Sequence, residues 1–109
     1  MATTYKVLAQ SNPAATTNTD IYTVPAATAA VISTIVICNQ SGSAATFNIA
    51  IRVGGASLTA AQYIAYSVAI SGGDSTALTL GITMAATDVL TVQASSSSLS
   101  FTAFGSQIS

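Results

Sequence analysis

The sequence has no histidine, no glutamate and no tryptophan, and its only charged residues are Lys6, Asp20, Arg52, Asp74 and Asp88. Without histidine the commonest general base, the serine triad and most zinc sites are gone. Without glutamate a paired-carboxylate glycosidase would have to use the three aspartates. Each stands where a strand begins or a turn ends, positions at which Asp commonly bonds to neighbouring backbone N–H groups. No Asp-x-Asp cluster offers calcium a local ligand set. Gly54-Gly55 and Gly72-Gly73 are not followed by Lys-Ser/Thr, so neither is a phosphate-binding loop. A Ser–Lys catalytic pair built on Lys6 has no motif behind it. The expectation is a protein that is not an enzyme and takes no metal and no cofactor.

The scarcity of base excludes a further class. Nucleic-acid binding requires several phosphates to be neutralised per molecule, and two basic side chains are too few. The single cysteine, Cys38, cannot form an intrachain disulfide. At the end of an apolar strand, with no cationic neighbour in sequence, it reads as a small buried hydrophobe. Long apolar runs are missing too: the richest, from Pro25 to Cys38, is interrupted by Thr28, Ser33 and Thr34 and falls short of the roughly 18 residues a spanning helix needs. No membrane partner is expected. The opening Met-Ala-Thr-Thr-Tyr-Lys-Val-Leu has no apolar signal-peptide segment, which leads to the expectation of synthesis and assembly in a cytoplasm.

What remains is apolar and β-branched. Half the residues are hydrophobic and 5% are charged, against about 25% charged in ordinary soluble domains. A formal charge of −1 gives little long-range repulsion between copies, so association is favoured. Residues 29–55 dominate the pattern: two long strands joined by Gln40-Ser41-Gly42-Ser43. In the second, Phe47, Ile49, Ile51 and Val53 alternate with Thr46, Asn48, Ala50 and Arg52, the period of two that a half-buried strand requires. In the first, strict alternation groups Val31, Ser33, Ile35 and Ile37 against Ile32, Thr34, Val36 and Cys38. Both faces are apolar, so both are expected to be covered, one by the core and the other by a second copy. Ile32, Thr34 and Val36, with Tyr63, form the candidate interface.

Further strands are read at Thr4–Ala9, Asp20–Val24, Gln62–Ile70, Ala77–Met84, Asp88–Ala94 and Leu99–Phe104. Pro25 closes the second of these, and Gly81 marks a bulge. In Gln62–Ile70, alternation puts Ile64, Tyr66, Val68 and Ile70 on one side and Tyr63, Ala65, Ser67 and Ala69 on the other. Ala56–Ala61 has room for one helical turn, and no other stretch carries a helical period. About eight strands at intervals of roughly 10 residues predict an all-β fold: one antiparallel β-sandwich, jelly-roll-like or Ig-like, spanning 1–109. Its turns are Ser, Gly, Ala and Thr, without the charge that usually guards free sheet edges. Tyr5, Tyr22, Tyr63 and Tyr66 read first as half-buried packing residues, and alternatively as an aromatic platform for a sugar or a partner protein.

Several segments together resemble small virion proteins of tailed bacteriophages. They are Asp-Ile-Tyr-Thr-Val-Pro-Ala (20–26), Val-Ile-Ser-Thr-Ile-Val-Ile-Cys-Asn (31–39), Tyr-Ile-Ala-Tyr (63–66), Ala-Leu-Thr-Leu-Gly-Ile-Thr (77–83), Ala-Ala-Thr-Asp-Val-Leu (85–90) and Leu-Ser-Phe-Thr-Ala-Phe-Gly-Ser (99–106). The resemblance covers nearly the whole chain and contains no catalytic signature. It implies a virion component, foremost a capsid decoration (cement) protein that forms homotrimers and clamps the major capsid protein, and alternatively a tail, neck, collar, baseplate or fibre part. A carbohydrate-binding module using the tyrosines is the reading from another class.

Overall fold

Period-two patterning becomes nine strands in the computed structural model, which describes residues 2–109. They are β1 (Thr3–Ser11), β2 (Thr19–Thr23), β3 (Ala29–Asn39), β4 (Ala45–Arg52), β5 (Tyr63–Ile70), β6 (Ser75–Leu78), β7 (Ile82–Met84), β8 (Val89–Ala94) and β9 (Leu99–Ile108). A five-stranded sheet has the order β1-β9-β3-β6, with β7 also on β3, and a four-stranded sheet has the order β2-β8-β4-β5. All strand pairs are antiparallel. This is the strand order of a jelly roll, in which most successive strands cross from one sheet to the other. It decides between the two sandwich types the sequence left open. The expected eighth-strand count becomes nine because Gly81, at φ +64, interrupts one strand on the edge of β3 and leaves β6 and β7. Among the described residues there is no α-helix, only one-turn 3-10 segments at Val53–Gly55 and Ala60–Gln62.

The inner faces interdigitate. Ile35, Ile37, Leu99 and Phe101 from the larger sheet meet Phe47, Ile49, Leu90 and Val92 from the smaller, all fully buried. Phe47 and Phe101 cross the interior edge to face, their centroids 6.2 Å apart. Each such side chain contributes about 1.5–3 kcal/mol by leaving water. Polar pins close the two ends. Buried Asn39 donates to the carbonyls of Ser43 and Ile70, and its Oδ1 accepts from Ser41 N–H, Ser41 Oγ and Ser98 Oγ. At the opposite end the buried carboxylate of Asp88 accepts from Gly54 N–H (2.8 Å) and Ala85 N–H (2.9 Å). No buried side-chain polar atom among the described residues lacks a partner.

Strict alternation fails in β3. The register against β9 shifts between Ile32 and Thr34, a bulge that reverses which side chains face inward. Ile32 therefore joins Ile35 and Ile37 in the core at 0% exposure, while Val31 moves outward with Thr34, Val36 and Cys38. Gly105, the register partner of Ile32, permits this. A Cβ there would drive into the Val31 carbonyl, so only glycine lets β9 lie this close. Ser33 Oγ donates to the Phe104 carbonyl at 3.0 Å and fastens the bulge.

Candidate functional site

The sequence-derived interface does not hold together as one patch. Ile32 is core, because the β3 bulge turns it inward. Thr34 and Val36 lie on the outer face of the larger sheet, and Tyr63 belongs to β5 of the other sheet. Cys38, expected to be buried, is only half-buried, since it shares the outer face with Val36. Two outer faces remain, and each can be built from its residues.

On the larger sheet, Tyr5 and Val7 of β1 stand opposite Ser106 and Phe104 of β9, which in turn stand opposite Val31 and Thr34 of β3. Tyr5, Val7, Val31, Ser33, Phe104 and Ser106 line a shallow groove of about 390 Å³, and among the described residues Lys6 is the only charged one on it. Tyr5 is 82% exposed and Val7 52%. The sequence pointed to an apolar outer face but placed Ile32 on it in place of Val31, and it passed over Phe104. The signal for both was Gly105, a glycine inside an apolar strand.

On the smaller sheet, the outer positions are Thr46, Asn48, Ala50 and Arg52 of β4 and Thr91 and Gln93 of β8. Asn48 donates from Nδ2 to Gln93 Oε1 at 2.9 Å, and Gln93 Nε2 donates to the Thr16 carbonyl. Arg52 Nη1 lies 2.8 Å from Asp20 Oδ1, and its other nitrogens donate to the carbonyls of Ala56 and Gly55. Thr91 Oγ1 also donates to Asp20. The arginine therefore straps the connection after β4 onto the sheet within one chain. The three aspartates have structural partners: Asp20 the Arg52–Thr91 cluster, Asp74 the N–H of Ser75, and Asp88 two loops.

Beside this polar face β5 departs from regular pairing. From Phe47 to Ala50 β4 advances three residues, while their partners on β5, Val68 to Tyr63, span five. Two extra residues are accommodated as bulges, and Ser67 takes a left-handed φ of +51. Asn48 Oδ1 accepts from Ser67 N–H at 2.7 Å and holds that bend. Alternation had put Tyr63 and Tyr66 on opposite sides. The bulges bring them to the same side, with ring centroids 4.9 Å apart and planes at 79°. With Leu58, Thr59 and Ala60 the two rings line a groove of about 480 Å³. Tyr66 also borders a second recess of about 190 Å³ lined by Thr16, Thr46, Asn48, Ser67, Gln93 and Ser95.

Among the described residues no three His, Cys, Asp or Glu side chains cluster as a metal would require, and no helix is long and apolar enough to cross a membrane. No family model, curated protein or solved structure matches the chain.

Proposed function

We propose that this protein is a structural subunit of a bacteriophage virion, a decoration protein that coats and braces the capsid shell as a homotrimer. The observation that carries the reading is the outer face of the larger sheet: Tyr5, Val7, Val31, Val36 and Phe104 set among Ser and Thr, with Lys6 alone among the described residues bringing charge to the groove. A contiguous exposed apolar surface of this kind marks a contact with protein. Strands of 9, 10, 11, 4 and 3 residues, at about 3.3 Å per residue and about 4.8 Å between strands, present roughly 600 Å². Standard-size interfaces take about 600–1,000 Å² per partner. The face is thus large enough for one specific contact, and many copies on a lattice add avidity. The resemblance to small phage virion proteins and the jelly-roll strand order, which recurs in viral capsid domains, point the same way. The role requires area and shape in place of reactive side chains.

Adding the purified chain to phage shells stripped of their outer proteins tests this. The expected result is saturable binding in hundreds of copies per particle, with added density on the shell surface in electron micrographs. Density confined to the tail or neck, in tens of copies, would contradict the shell assignment. Failure to bind any virion part would remove the reading altogether.

A further inference from the structure

We propose that the outer face of the smaller sheet, at the Tyr63–Tyr66 corner, is a binding site for an uncharged oligosaccharide. This goes beyond the assembly role and rests on a different face of the sandwich.

Two bulges and a strained serine are used to place Tyr66 where alternation would not. Ser67 at φ +51 is in a region that costs a non-glycine residue about 1 kcal/mol or more. It persists because Asn48 accepts its N–H. Bulges of this kind re-aim side chains, and here the product is an aromatic surface that is 65% exposed at Tyr66 and braced edge-on by Tyr63. The groove below it, about 480 Å³, falls within the range of small-molecule sites.

The chemistry around the corner selects the ligand. Asn48 and Gln93 each use one amide hydrogen within the chain. A primary amide carries two, and among the described residues the second on each has no partner. Thr46, Ser67 and Ser95 add hydroxyls to the same recess. An apolar flat surface beside fixed amides and hydroxyls suits a ligand with an apolar C–H face and a rim of hydroxyl groups, which is a pyranose ring. Charge argues against other ligands. Arg52, the only cation on this face, is engaged by Asp20 and two carbonyls, so an anionic sugar, a phosphate or a nucleic acid has no counter-charge. A peptide adding as a strand is disfavoured too, because the double bulge breaks the regular ladder that β-augmentation needs on the β5 edge.

The test is a glycan array probed with the full chain, followed by NMR titration of positive oligosaccharides. The expected result is binding of neutral glycans with Kd of about 1 mM or tighter and shifts centred on Tyr63 and Tyr66. Tyr66→Ala should weaken affinity about tenfold while Tyr66→Phe keeps it, because stacking needs the ring and not the hydroxyl. Gln93→Ala should weaken binding in a chain that stays folded, with a small fall in Tm from the two intrachain hydrogen bonds it loses. Phe104→Lys, on the opposite face, should leave the titration unchanged, so assembly and sugar binding can fail separately. No neutral glycan bound, only anionic glycans bound, or binding indifferent to Tyr66→Ala would each overturn the proposal. Should Tyr66→Ala lower Tm, Tyr66→Phe and Gln93→Ala decide by the same titration.

Discussion

The two outer faces of this sandwich draw on the same limited alphabet of small, hydroxylated and aliphatic residues, yet differ in build. The larger sheet is apolar outside: Tyr5, Val7, Val31, Val36 and Phe104 project from strands with one register shift in β1, between Val7 and Ala9, and one in β3 that sorts Val31 out and Ile32 in. The smaller sheet is hydrogen-bonded and irregular outside, with an amide pair, a strapped loop and a doubly bulged edge strand. An apolar face gains most by being covered over its whole area. An irregular polar face with one aromatic corner gains from a small ligand that meets fixed donors. The double bulge of β5, more than composition, sets the tyrosine corner apart from the apolar face.

The comparison can be broken hardest at Gly105. Gly105→Ala forces a methyl against the Val31 carbonyl, and a loss of about 3 kcal/mol in urea unfolding is expected. A loss under about 0.5 kcal/mol would mean that β9 and the β3 bulge are not locked together. Next is Asp88→Ala, which strips the N–H groups of Gly54 and Ala85 of a charged acceptor. About 2 kcal/mol should be lost, with glycan binding and self-association intact in the folded fraction. The double variant Val7→Lys/Phe104→Lys sharpens the contrast between faces. Both side chains are exposed, so stability should change by less than about 1 kcal/mol while the oligomer dissociates. The smallest effect is expected for Ser67→Gly. Relief of the left-handed strain by Ser67→Gly is offset by the entropy of glycine in the unfolded chain, giving a change within about 0.5 kcal/mol, whereas β-branched Ser67→Val should cost about 1–2 kcal/mol.

The sandwich was legible because period-two patterning survives in β4, β8 and β9, and because Pro25, Gly81 and the serine-rich turns punctuate it. Jelly roll against Ig order was not legible, since it depends on pairings such as β1 with β9 and β3 with β6 that link distant residues. Register shifts break alternation in β1 and β2, and more consequentially at Ser33 in β3 and Tyr66-Ser67 in β5, the places that shape the two outer faces. A one-residue slip moves a whole strand's side chains to the other side, so a bulge invisible to periodicity put Ile32 on the wrong face and split the tyrosine pair. Gly105 was a readable warning of the β3 bulge. For β5, a Tyr-x-x-Tyr spacing in a strand carries no comparable signal, because the side-chain amide of Asn48 that holds the bend lies on a different strand.

The central claim is that the outer face of the larger sheet is where copies of this protein meet. Sedimentation equilibrium over a broad concentration range, on the wild-type chain beside Val7→Lys/Phe104→Lys and Tyr66→Ala, tests it most directly. The account predicts a wild-type oligomer at a multiple of 10.8 kDa, reduced to a folded monomer by the lysine pair and untouched by the tyrosine change. A wild-type protein that stays monomeric at every concentration, or an oligomer that survives two lysines on that face, would contradict it.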